Sequence, residues 1–218
     1  MTFSYTIHPL TLPDLHETTS ISELAFTEHN TLLYASPLSP ESLSKLVSGR
    51  ASRFSSEKDV FSFKVVDNGS GKIIGSSRWS IHLSDEADEK SVEEVVEGRM
   101  SANLPEMKRD VARVVYTAVT VGRRDVLSVP DAAAGNNEGE GKGCVLRKRV
   151  ELEGLFVHPE YQRRGIAREL LQWGLEEAEK LGLEVYLEAT PAGRPFYSRC
   201  GFETVKVVPT EGREFAVS

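Results

Sequence analysis

The sequence predicts an α/β domain with a mixed central sheet flanked by helices. Between Asp59 and His82, two alternating apolar runs flank the turn sequence Asn68-Gly69-Ser70-Gly71, the pattern of an antiparallel hairpin. From Arg149 to Ala189 an apolar strand-like run, an amphipathic helical run and a second apolar run follow in order. A strand–helix–strand unit of that size favours a right-handed parallel crossover. A sheet that holds both units is mixed. The 218 residues, 39% hydrophobic and 27% charged, suffice for one well-packed soluble domain, with or without an insertion.

Phe3 to Ile7 alternates apolar and polar residues, as a half-buried strand does. Pro9 and Pro13 bracket a turn, and Asp14 can begin a helix to Phe26, with Leu15, Ile21, Leu24 and Ala25 at roughly helical spacing. A second, short helix is expected from Ser39-Pro40-Glu41, where serine caps and proline takes the first position. The hairpin strands run from Asp59 to Val66 and from Lys72 to His82. Ser84 to Gly98 then gathers Asp85, Glu86, Asp88, Glu89, Glu93, Glu94 and Glu97. Val92, Val95, Val96 and Met100 give this stretch one apolar helical face, which should stop before Pro105. Such a charge run is ordinarily a solvated face; the functional alternative is a lid or wall that attracts cationic amines. Asp131 to Gly143, rich in Ala, Gly, Asn and Glu, has little to bury and is expected to be a mobile loop. Residues 84–148 therefore form an acidic, loop-rich insertion in a single domain spanning 1–218.

The central strand is expected from Arg149 to Val157, with Gly154 marking an irregularity or a close backbone approach. In the following helix Ile166, Leu170, Leu171, Gly174, Ala178 and Leu181 share one side and Arg168, Glu169, Gln172, Glu176, Glu179 and Lys180 lie mostly opposite. Gly182 ends it. A strand over Leu183–Ala189, a short helix over Ala192–Arg199 and a strand over Phe202–Val208 follow. After a Glu211-Gly212 turn, Arg213–Val217 is expected as a final edge strand.

A net charge of -7 argues against a general nucleic-acid binder. No apolar run reaches membrane-spanning length, and Met1-Thr2-Phe3 opens without a basic n-region and hydrophobic h-region. Cys144 and Cys200 form neither a metal-ligand spacing nor a disulfide framework. The expectation is a cytoplasmic, reduced-thiol protein that engages neither nucleic acid nor membrane and holds no metal. Whether it is a monomer or a homodimer stays open.

The chemistry concentrates in Leu152 to Arg168, L-E-G-L-F-V-H-P-E-Y-Q-R-R-G-I-A-R. An apolar strand breaks at His158-Pro159 and resumes as helix near Gly165. Unpaired N–H groups in a helix's first turn seat anions, glycine lets a ligand approach the backbone, and flanking arginines attract phosphate oxygens. The arginines have a plainer reading as a solvated loop end. No G-x-x-x-x-G-K-[ST] is present, nor a G-x-G-x-x-G directly after a strand.

Q-x-x-G-x-A after an apolar strand and an H-P-E-Y turn resembles the acetyl-CoA-binding motif of the GNAT superfamily of N-acetyltransferases, usually Q/R-x-x-G-x-G/A. Ala192 to Phe202, A-G-R-P-F-Y-S-R-C-G-F, resembles the second half of the same domain. The resemblance is strong over 152–207, compatible over 1–83 and absent over about 84–148. It implies a GNAT-type sheet, a cofactor-binding core over 150–208 and transfer of acetyl from acetyl-CoA, a co-substrate, to a primary amine. A small-molecule acceptor is expected; a protein lysine or N-terminus, or a non-catalytic CoA-binding module, are the alternatives.

The resemblance assigns Leu155, Phe156 and Val157 to backbone contacts with the acetyl group and pantetheine arm, although their side chains alone read as core. It maps Gln162, Arg163, Arg164, Gly165, Ile166, Ala167 and Arg168 onto the pyrophosphate loop, where Gln162 can also simply fix the loop. Tyr197 matches a tyrosine that acts as general acid toward the departing thiolate in many members. A phenol with a pKa of ~10 is protonated at neutral pH, but a half-buried aromatic supporting the cofactor fits the residue too. Thr190 stands where many relatives have an asparagine contacting pantetheine, a departure from the family pattern. Glu151 resembles the strand glutamate used as base in histone-acetylating members. Glu153, on the same face of a regular strand, is the other candidate; both can instead be edge carboxylates that attract a cationic substrate. His158 reads as a turn residue and Cys200 as a packing residue.

Overall fold

The computed structural model describes residues 3–129, 144–210 and 213–217. The loop expected over Asp131–Gly143 and the Glu211-Gly212 turn lie outside the described residues. The chain opens with β1 (Tyr5–Pro9) and passes through α1 (Leu15–Ala25), α2 (Thr27–Leu33) and α3 (Pro40–Phe54) to the hairpin β2 (Val60–Asp67) and β3 (Ile73–His82). Next come β4 (Glu86–Asp88), α4 (Val92–Met100), α5 (Arg109–Leu127), β5 (Ser128–Val129) and β6 (Cys144–Leu146). The final section is β7 (Arg149–Val157), α6 (Ile166–Leu181), β8 (Val185–Ala189), α7 (Arg194–Arg199), β9 (Lys206–Thr210) and β10 (Arg213–Val217).

Seven strands form one sheet in the order β1-β2-β3-β7-β8-β10-β9. The β7–β8 pair is parallel and carries α6 as its crossover, whereas β3–β7 and the β2–β3 hairpin are antiparallel. This is the mixed sheet the two sequence units require. The last strand departs from expectation: β10 pairs with both β8 and β9, so β9 is the edge and Arg213–Val217 is interior.

Local signals explain the helix starts. Ser39 accepts the Ser42 N–H ahead of Pro40, and α3 runs 15 residues, longer than the short helix expected. Ser91 and Glu94 form a capping box at the start of α4. Gly182, at φ 63°, closes α6 in the left-handed region that glycine enters without a Cβ penalty.

Two cores face each other across the sheet. Trp79, Leu152 and Leu187 pack with Leu171 and Ala178 of α6. On the opposite face Tyr186 and Val208 pack with Val96 and Met100 of α4 and Val115, Val119 and Leu127 of α5. Tyr186 and Leu187 are neighbours on one strand, and alternation sends them to opposite faces. Leu24 and Leu181, placed on apolar helix faces by spacing, are 53% and 41% exposed.

The segment 84–148 holds more regular structure than its composition suggests. It contributes α4, the 19-residue α5 and a three-stranded sheet β4-β6-β5. Three of the acidic residues meet the chain's own cations: Asp88 accepts from Arg124 at 2.8 Å, Glu86 from Arg149 at 3.0 Å, and Glu97 from Arg113. Among the described residues no helix is long and apolar enough to cross a membrane.

Candidate active site

Strands β7 and β8 pair through Leu152↔Leu187, and beyond that point they part. On the other side of β7 the register to β3 shifts by one residue: Trp79 pairs with Leu152 and Arg78 with Gly154, leaving Glu153 as the extra residue of a bulge. The bulge breaks the regular alternation that would have put Glu151 and Glu153 on one face.

Where the strands part lies a cavity of about 580 Å³, lined by Glu153, Gly154, Leu155 and Phe156 of β7 and by Glu188, Thr190, Gly193 and Tyr197 on the β8 side. Phe26 between α1 and α2, Tyr34 between α2 and α3, Arg50 of α3 and Tyr116 of α5 also line it. No residue of 84–100 is among its lining residues, so the acidic run does not form its wall.

Tyr197 is half-buried on α7, edge-on to Phe196 and Phe202 at centroid distances of 5.1 and 5.8 Å. Burial raises its pKa well above the ordinary phenol value, with Cys200 adding to the effect, so the hydroxyl keeps its proton at neutral pH. Thr190 accepts the Gly193 N–H through Oγ1 at 3.2 Å, a local turn that sets the start of α7. A Cβ on Gly193 would lie 3.4 Å from both Thr190 Oγ1 and the Tyr197 ring, so glycine lets these groups crowd together.

The loop from β7 to α6 is held from within. His158 accepts the Glu160 N–H at 3.3 Å, as a turn residue does, and Gln162 Nε2 donates to the Val157 carbonyl at 3.2 Å. Arg164 lies over the rings of Phe3 and Tyr161, at 4.5 and 5.3 Å, and donates to the Glu160 carbonyl at 3.1 Å. Arg163 has φ 60° and Gly165 φ 87°, so two successive left-handed bends turn the chain into α6. Arg163 and Arg168 are exposed, Ala167 is half-buried, and Ile166 is 1% exposed, leaving Ile166 only its backbone to offer a ligand. Val157, 6% exposed, packs with Ile74 and Ile166 in the core.

The two glutamates part company. Glu151, 7% exposed, accepts from both guanidinium nitrogens of Arg123, one at 2.8 Å, and from Arg149 Nε at 2.9 Å. Burial alone would raise its pKa, but Arg123 and Arg149 outweigh it and hold the carboxyl below the ordinary range. It is absent from the residues lining the cavity. Glu153 is exposed and lines the cavity, where Arg78 Nε donates to it at 2.6 Å while the same guanidinium also pairs with Glu57.

Residues 133–202 match the model of the Acetyltransferase (GNAT) family. That stretch of the chain is similar to GNAT acetyltransferases. Over 42 residues, 19% of this chain and 31% of the relative, it is 52% identical to the probable acyltransferase SID5 of Ajellomyces capsulatus. Over 71 residues, 33% of this chain and 45% of the relative, it is 39% identical to the uncharacterized N-acetyltransferase YafP of Escherichia coli strain K12. The matched parts thus span less than half the length of either relative. The fold is similar to that of the PaiA N-acetyltransferase of Thermoplasma acidophilum, solved in complex with coenzyme A, with TM-score 0.51, 16% identity, and 98% and 97% of the two chains covered.

Tyr197, Thr190, Glu153, Leu155 and Phe156 meet in one cavity, the loop 162–168 and Val157 lie along the continuation of β7, and Glu151 sits in an arginine clamp. Sequence reasoning missed Arg50, Arg78 and Glu188. The only signal for Glu188 was a charge inside an apolar strand; Arg50 and Arg78 gave none, since only tertiary packing brings them to the cavity.

Proposed function

We propose that the protein is an acetyl-CoA-dependent N-acetyltransferase acting on a primary amine of a small molecule by direct transfer in a ternary complex. The observation that carries this is the cavity at the β7–β8 opening, which joins β7 backbone beyond its pairing with β8 to a half-buried, protonated Tyr197. The N–H groups at the start of α6, with the exposed Arg163 and Arg168, suit a pyrophosphate. Arg164 supports that loop through its contacts with Phe3 and Tyr161. Backbone of Leu155, Phe156 and Val157 would pair with the amide-rich pantetheine arm, and Thr190, its Oγ1 already engaged, would pack beside it.

In the reaction the uncharged amine nitrogen attacks the thioester carbonyl, the new C–N bond forms, the C–S bond breaks, Tyr197 donates its proton to the departing sulfur, and the proton the nitrogen sheds restores the phenol. Glu153, anchored by Arg78, adds negative potential where a cationic amine enters. Glu151 has the weaker claim as base, because its carboxylate is committed to two arginines. A cavity of about 580 Å³ walled in part by α1, α2 and α3 is in the usual size range of small-molecule sites, which favours a small acceptor over an extended peptide.

The test is Tyr197→Phe, assayed by thiol release over a panel of amines and by calorimetry with acetyl-CoA. Turnover should fall ~100-fold or more, within the usual range for losing a general acid, with acetyl-CoA affinity retained. Unchanged turnover would remove Tyr197 from the chemistry.

A further inference from the structure

Several charged groups in the cavity wall, Arg50 and Glu188 among them, have no part in the roles above. Arg78 is spoken for by Glu57 and Glu153. Arg50 of α3 is not: its Nη1 donates to the hydroxyls of Thr19 at 3.0 Å and Ser22 at 3.3 Å, and it forms no ion pair among the described residues. Neutral hydroxyls fix the guanidinium against α1 and leave N–H donors unused. Its half-burial disfavours the bare charge, which Glu23 only partly offsets. A guanidinium so placed is suited to a two-pronged hydrogen bond with a carboxylate.

Glu188 lines the same cavity. It follows Leu187, the last residue of β8 paired with β7, so it stands where the strands part. The Tyr186 hydroxyl donates to its Oε1 at 3.1 Å, and the carboxylate retains further acceptor capacity. Burial raises its pKa while Arg99 and Arg123 oppose the rise, a setting in which it can accept a proton more readily than the clamped Glu151. Phe26, Tyr34 and Tyr116 give the same cavity an aromatic wall.

Resting on the acetyltransferase reading, we propose that the acceptor is a small amine that also carries a carboxylate, with Arg50 holding the carboxylate and Glu188 receiving the ammonium. The ammonium gives one proton to Glu188, the freed lone pair attacks the thioester, the C–S bond breaks as Tyr197 protonates the thiolate, and the second proton shed by the nitrogen as the amide forms returns the Tyr197 phenolate to phenol.

The experiment uses the full chain, acetyl-CoA and three matched pairs of amines: L-tyrosine and tyramine, ε-aminocaproate and hexylamine, para-(aminomethyl)benzoate and benzylamine. In at least one pair the carboxylated member should have the higher kcat/KM, by about ten-fold or more, as a charge-assisted bidentate contact allows. Arg50→Gln should bring that ratio to about one, and Arg50→Lys should retain part of it, with acetyl-CoA affinity as in the wild type. Glu188→Gln should lower kcat/KM for both members of the pair, by about 100-fold, leaving their ratio unchanged. Equal or better use of the plain amines, a ratio that survives in Arg50→Gln, or no turnover of any of the amines by protein that binds acetyl-CoA would overturn the inference. Failure of the folded wild type to bind acetyl-CoA would instead remove the acetyltransferase reading beneath it.

Discussion

Replacing Gly174 with alanine should loosen the seat of α6 on the sheet. A Cβ at this position would lie 2.3 Å from two ring carbons of Trp79 and 2.5 Å from a third. Carbon atoms in good contact sit ~3.5–4 Å apart, so the ring and helix must separate by about 1 Å or more. Trp79 has 0% exposure and packs beside Trp173 at 6.1 Å between centroids, which leaves the indole little room to retreat. Overpacking of a core costs ~1–3 kcal/mol, and alanine returns up to ~1 kcal/mol of helix propensity relative to glycine. The net expectation is ~1–2 kcal/mol of destabilisation, or a drop in Tm of ~2–8 °C for a chain of this size. Thermal unfolding followed by near-ultraviolet circular dichroism reports both quantities, since the tryptophans dominate that signal. An unchanged or higher Tm would refute the idea that close contact between Gly174 and Trp79 seats α6, and with it the positioning of the Gly165 loop.

Three further outcomes follow from the charged and polar contacts. Arg123→Met removes the main partner of a buried carboxylate and should destabilise the fold by about 3 kcal/mol near neutral pH, measurable by urea unfolding. Because the folded pKa of Glu151 is lowered, its contribution is present above the unfolded carboxylate pKa and disappears as pH falls through the folded value; in Arg123→Met that loss should begin at higher pH. Glu106, held down to about 2 by the Ser42 hydroxyl and the Ser39 N–H, ties the chain before α5 to the start of α3. That tie is complete above the unfolded carboxylate pKa and fades as pH approaches about 2, so Glu106→Ala should speed amide exchange at Ser39 and in the first turn of α3 at neutral pH, and equal exchange rates would contradict it.

Much of the second half of the chain was legible because its signals are local. The strand over Arg149–Val157, Gly165, the face of α6 and Gly182 are written in period and punctuation, and apart from the exposed Leu181 each matches the structure. α5 was illegible for a local reason too. Its stretch R-D-V-A-R-V-V-Y-T-A-V-T-V-G-R-R-D-V-L is rich in β-branched residues and contains a glycine, so intrinsic propensity argues against helix. Burial of Ala112, Val115, Val119 and Leu127 decides the matter, and that burial comes from α4 and the sheet. The order of β9 and β10 depends on pairing with β8, which no local pattern records. The same holds at the site. Tyr197 and the 162–168 loop stand in a recognisable string, whereas the bulge at Glu153 exists only in register with β3. Glu151 looked available because its partner Arg123 is 28 residues away in sequence and arrives on a helix that was not expected.

The most direct measurement is calorimetric titration of acetyl-CoA into the wild type and into the double variant Arg163→Glu, Arg168→Glu. Both side chains are exposed, so the variant should fold as the wild type does. Saturable binding by the wild type, weakened at least about ten-fold by the two charge reversals, is the predicted result. A folded wild type that does not bind, or a variant that binds equally well, would contradict the placement of the pyrophosphate at the start of α6.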